Sequence, residues 1–136
     1  MRRLTLATGT PPLLVCHSMG GVAVRAWLRV ADAATRVHHV VTIGSPHRGT
    51  WIGRFSRVVN GRQLSLGNAW IEELQRAMPA AGAPFTCWYS NCDNMVFPAS
   101  TATLPGADNR FIPGVGHLAL AYRPEVIAQA LALLEE

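Results

Sequence analysis

A chain of 136 residues, 49% apolar and 15% charged, has the composition of one globular domain (residues 1–136) and not of a disordered segment. Its net charge of +4 rests on arginine alone, since the sequence holds no lysine. Arg48, Arg54, Arg57 and Arg62 fall close together without a recognition-helix pattern or other nucleic-acid motif, so they read as a solvated surface and no nucleic-acid partner is expected. Arg2 and Arg3 ahead of an apolar run ending at Cys16 imitate a short signal or lipoprotein signal, but Pro11 and Pro12 interrupt the run and cleavage would cut into the motif that follows. The chain is therefore read as cytoplasmic, without a membrane-spanning helix of ~20 apolar residues. Cys16, Cys87 and Cys92 are an odd number with no zinc spacing and are read as free and mostly buried.

In chain order, Leu4 and Leu6 suggest the tail of a helix ending at Gly9. Leu13 to Cys16 is a short continuous apolar run, the pattern of a strand buried on both faces. Past Gly20 and Gly21, Arg25 and Arg29 lie four apart on one face and Val22, Ala26 and Val30 on another, which predicts a helix. Val37 to Ile43 is rich in β-branched residues and predicts a second strand. Residues 46–67 read as loop, and a helix is expected to begin behind Asn68 as its N-cap. A third strand is expected over Phe85 to Ser90 and a fourth over roughly Asn109 to Pro113. Pro124 then opens a helix with Val126, Ile127, Ala130, Leu131 and Leu134 as its apolar stripe. Strands alternating with helices predict the α/β class, a parallel sheet with flanking helices.

The chemistry is concentrated at Leu13–Gly21, which reads LLVCHSMGG. A serine hydroxyl becomes a nucleophile only when a base takes its proton and something stabilises the oxyanion that forms. Placing it in a tight turn between a buried strand and a helix aims it at the substrate, and small neighbours relieve the crowding there. Ser18 follows the first strand, Gly20 and Gly21 are the small neighbours, and the amide of Met19 would meet the oxyanion at a helix start. Asp93 follows the third strand and His117 the fourth, both where parallel strand ends converge.

The stretches CHSMGG (16–21), IGSPHRGT (43–50), YSNCDNMVFP (89–98) and GVGHL (114–118) together resemble the C-terminal half of an α/β-hydrolase, near the bacterial triacylglycerol lipases and esterases. That resemblance covers the chain from Leu13 onward. It implies Ser18 as nucleophile, Asp93 as acid, His117 as general base and the Met19 amide as one oxyanion donor, with Cys16, His17, Gly20 and Gly21 forming the nucleophile elbow. The implied function is a serine hydrolase acting on carboxylic esters, lipid esters among them, through an acyl-enzyme, with no cofactor and no metal. Cys16 stands where the family usually has glycine. The family's first strands and the loop giving the second oxyanion donor should precede Leu13, where only Met1 to Pro12 stand. The alternative expectation is thus a truncated, non-catalytic fragment that needs a missing lobe or a partner chain, and an open edge at the first strand would invite self-association.

The remaining candidates have plainer readings. His17 is expected to turn away from Ser18 into a structural role, His38 and His39 to pack or hydrogen-bond within a strand, and His47 to order its loop. Asp108 is a rival acid, but it precedes the fourth strand, and Asp32 ends the helix that follows Ser18, pointing away. Trp51, Phe55 and Trp70 either line an acyl pocket or lid or belong to the core.

Overall fold

The chain lays its strands side by side in the order in which they are made. The computed structural model describes residues 2–31, 37–77 and 83–135. Strands β1 (Leu13–His17), β2 (His39–Ile43), β3 (Phe85–Tyr89) and β4 (Asp108–Phe111) form one parallel sheet of order β1-β2-β3-β4. The register sets Cys16 beside Thr42, Thr42 beside Cys87 and Cys87 beside Asn109, so all four strands end at nearly one level. The ladder continues past the strand ends, where the N–H groups of Ser18, Gly44 and Ile112 donate to the carbonyls of Ile43, Trp88 and Tyr89.

Helices occupy the connections from β1 to β2 and from β2 to β3, because a parallel return needs a long crossover, and also stand before β1 and after β4. They are α1 (Arg2–Thr8), α2 (Met19–Ala31), α3 (Val59–Gln63), α4 (Ala69–Arg76), α5 (His117–Leu120) and α6 (Pro124–Ala132). Asn68 caps α4 by accepting the Trp70 N–H at 3.0 Å, and Pro124 sits in the first turn of α6, where its missing N–H costs nothing. Among the described residues no helix is long and apolar enough to cross a membrane.

Alternation along β2 and β3 divides the core between the two sheet faces. Val40 and Cys87 face one side with Val24, Phe85 and Leu104, while Val41, Ile43 and Trp88 face the other with Ile112, Leu120, Val126 and Leu133. Each fully buried valine of β2 contributes about 2 kcal/mol through area removed from water. A third cluster, Val22, Leu64, Ile71 and Leu74, seats α4 on α2. Arg25 is buried between these elements and donates to the carbonyl of His47 at 2.7 Å and the Gln75 side chain at 3.0 Å. Burial lowers its pKa to about 10, which leaves it charged at neutral pH.

Several sequence expectations are corrected here. β1 is not buried on both faces: it is an edge strand, and Val15 at its centre is 54% exposed. Residues 46–67 are not all loop, since a 3-10 turn over Trp51–Phe55 and then α3 fold within them. The α6 stripe is only half right. Val126 is buried and Ala130 partly so, whereas Ile127, Leu131 and Leu134 are exposed, and Leu133 takes the buried place. Cys87 is buried and Cys16 partly buried, but Cys92 is exposed. Asp32 lies outside the described residues.

Candidate active site

The turn from β1 into α2 puts a side chain where a helix start and a strand end meet. Ser18 occupies it with φ of 54°, a left-handed conformation that a non-glycine residue adopts only when the surroundings hold it there. The next residue, Met19, opens α2, so its N–H has no acceptor in a preceding helical turn. Of the two small neighbours, Gly21 is the critical one. A Cβ there would collide with Ser45, lying 2.7 Å from its Cβ, whereas a Cβ on Gly20 would meet Cys16 at an ordinary 3.7 Å.

Asp93, His117 and Ser18 come from three different strand ends and meet in one hydrogen-bonded line. His117 Nδ1 lies 2.8 Å from Asp93 Oδ2, and His117 Nε2 lies 2.9 Å from Ser18 Oγ. Asp93 and His117 are both buried. Burial alone would push the Asp93 carboxyl up. The hydrogen bond from His117 and the N–H groups of Met95 and Val96, each 2.8 Å from Oδ1, outweigh it and hold the carboxyl below the usual value. An ionised Asp93 fixes the proton of His117 on Nδ1 and leaves Nε2 as an acceptor toward Ser18.

The loops after β3 and β4 are clamped to one another by side chains outside the sequence reading. Ser90 Oγ accepts from Val115 N at 3.0 Å, Asn91 Oδ1 from Gly114 N at 2.9 Å, and Asn94 Oδ1 from His117 N at 3.4 Å. Gly44, also missed, follows β2 with φ of 55°, and a Cβ there would stand 2.9 Å from Asp93 Oδ2 and 3.1 Å from His117 Nδ1. Its one sequence signal is a glycine directly after a strand in IGSPHRGT.

His17 reaches His117 instead of Ser18: its Nε2–H donates to the His117 carbonyl at 3.1 Å, with the two rings 4.6 Å apart. His47 is fully buried away from the site mouth, with Nε2 3.0 Å from Thr42 Oγ1; burial, then the Arg25 charge, keep its imidazole neutral. His38 bonds the Leu133 carbonyl and His39 the Thr86 hydroxyl. Asp108 opens β4 on the surface in an ion pair with Arg110 at 2.6 Å.

Ser18 opens onto an apolar cavity of about 470 Å³ walled by Pro46, Ile52, Phe55, Leu64, Met95 and Val96. Thr50 holds one wall in place, donating its hydroxyl to the Met95 carbonyl at 2.7 Å and accepting the Phe97 N–H. A second cavity of about 290 Å³ lies beyond Met19 and Leu64, against Val22 and Trp70. Of the three aromatics left open by the sequence, Phe55 lines the larger cavity, Trp70 packs on the third cluster, and Trp51 stacks edge-on against Phe55.

Solved structures share this arrangement of strands and helices. The mature lipase BlEst2 of Bacillus licheniformis superposes with a TM-score of 0.79 at 17% identity, over 98% of this chain and 69% of that one. The product of the gene lin2722 of Listeria innocua gives 0.69 at 16%, over 100% and 62%. The α/β hydrolase MGS-MChE2, from a metagenome of Mar Chica lagoon sediments in Morocco, gives 0.60 at 21%, over 96% and 64%. At such identities the likeness establishes a common α/β-hydrolase fold, of which this chain spans roughly two thirds. Residues 9–95, more than half of the sequence and including the β1–Ser18–α2 turn and Asp93, match the family described as the PGAP1-like alpha/beta domain, and to that family the chain belongs.

Proposed function

We propose that the protein is a serine hydrolase of carboxylic esters, lipid esters among them, working through Ser18, His117 and Asp93. One observation carries the reading: the unbroken line from Asp93 through His117 to Ser18, 2.8 and 2.9 Å in its two links, ends at the mouth of an apolar cavity. The α/β-hydrolase fold it shares with a lipase supports hydrolysis in general terms.

His117 Nε2 takes the Ser18 proton as Oγ attacks the ester carbonyl. The tetrahedral oxyanion is met by the Met19 N–H at the positive end of α2. His117 then passes its proton to the departing alcohol, and the acyl group remains on Ser18 with its chain in the 470 Å³ cavity. Water, deprotonated by His117, releases the acid. Asp93 keeps the imidazole in the required tautomer and stabilises its cationic form.

The test is fluorophosphonate labelling of the purified chain, mapped by mass spectrometry, beside Ser18→Ala. An adduct on Ser18 that disappears in the variant supports the reading, and an acyl-length series of nitrophenyl esters then sizes the cavity. Folded protein that takes no adduct removes it, and leaves the alternative of a fragment that needs further chain to become competent.

A further inference from the structure

The wall of the larger cavity has an outer side whose composition is unlike a solvated loop. Over residues 51–63 the chain turns through the Trp51–Phe55 3-10 helix into α3. Four of its large apolar side chains face outward: Trp51 is 50% exposed, Phe55 69%, Val58 65% and Val59 63%. Phe97, also exposed, adjoins them through the hydrogen bond of the Trp51 N–H to its carbonyl. Soluble surfaces carry single exposed apolar residues freely, but a contiguous group marks a contact.

Charge identifies the kind of contact. Arg54, Arg57 and Arg62 are interspersed with these residues and exposed, and among the described residues no ion pair reaches them. From residue 33 to residue 71 the sequence contains no aspartate or glutamate. Cations that alternate with apolar side chains and have no carboxylate to neutralise them complement a surface that is itself anionic and apolar underneath. Aliphatic Val58 and Val59 offer nothing to nucleic-acid bases or phosphates, but tryptophan, phenylalanine and valine beside arginine suit the boundary between headgroups and acyl chains.

We propose that residues 51–63 form a docking face for an anionic lipid bilayer. Trp51, Phe55, Val58 and Val59 enter the headgroup boundary while Arg54, Arg57 and Arg62 meet the lipid phosphates. Phe55 belongs to both the face and the cavity wall, so docking sets the mouth of the Ser18 cavity against the membrane. Binding itself does not depend on the hydrolase reading.

The experiment uses the full chain carrying Ser18→Ala, so that no lipid is consumed, and sedimentation with vesicles of phosphatidylcholine alone or mixed with phosphatidylglycerol. The mixed vesicles should bind on the order of tenfold tighter, and added salt should weaken them. Two further variants separate the forces: Trp51→Ser with Val58→Ser and Val59→Ser, and Arg54→Gln with Arg57→Gln. Each should bind roughly tenfold or more weakly while keeping the parent's circular dichroism. Equal binding by folded variants, or a parent that ignores both vesicle types, overturns the proposal. So does a loss confined to the arginine variant, because insertion is then absent. A failed fluorophosphonate test leaves the vesicle result standing, and the reverse holds too.

Discussion

Gly44 is the residue on which the site is most tightly built. Its missing side chain makes room for Asp93 and His117 together, and its φ of 55° already disfavours any replacement. Gly44→Ala should therefore spread Asp93 and His117 apart. We expect labelling at Ser18 to slow about a hundredfold, the order that a small misplacement costs, with folding still detectable by circular dichroism. An unchanged labelling rate would mean the loop yields without moving the pair. His17 acts one step further out, since its Nε2–H holds the carbonyl of His117 and not its ring. His17→Ala should slow labelling by roughly fivefold, the scale of one lost charge-free hydrogen bond at about 1 kcal/mol. His17→Gln, which keeps an N–H donor, should recover most of it. Equal losses in the two variants would assign His17 to ring packing instead.

Among the elements, α2 carries both the Ser18 turn and the buried Arg25. That guanidinium ties α2 to the loop at His47 and to α4 through the Leu74 carbonyl and Gln75. Arg25→Met leaves the buried carbonyls unanswered and should lower stability by about 3 kcal/mol, read as a shift in urea midpoint. A change below about 1 kcal/mol would show that water replaces the bonds. The strands and α2 were legible because β-branched runs and a four-residue spacing leave a local imprint at Val40 to Ile43 and at Arg25 and Arg29. The 3-10 turn and α3 left none, since they are held by Gly53 closing on Ser65 and by Thr50 reaching Met95. The α6 stripe was over-read because only its Val126 and Leu133 side faces the sheet. That Ser18, Asp93 and His117 lie together could be foreseen because parallel strands deliver their ends to one edge. Asn94 and Gly44 have no chemistry of their own to announce them.

For the molecule as a whole, acid is the condition that should unfasten the site and the fold together. Asp93 is ionised in the folded chain at pH values where an unfolded carboxyl already takes a proton. The stability it supplies is complete above the ordinary value, about 3.9, and is lost as pH falls through the lower folded value. The urea midpoint of the parent should thus fall more steeply than that of Asp93→Asn as pH drops from about 5 to about 2. Parallel profiles would show that other carboxyls govern acid unfolding.

The one-way order of the strands also fixes when the three side chains of the proposed site can meet during folding. The hydroxyl and imidazole that meet at 2.9 Å are 99 residues apart along the chain, while the imidazole and carboxyl are separated by 24. The acid–base pair can close as a late local loop, but its junction with Ser18 must wait until both borders of the sheet are in place. Under the proposed function, reactivity at Ser18 should therefore be the last property the chain acquires on refolding, and a label on that oxygen should time the closure of the entire sheet.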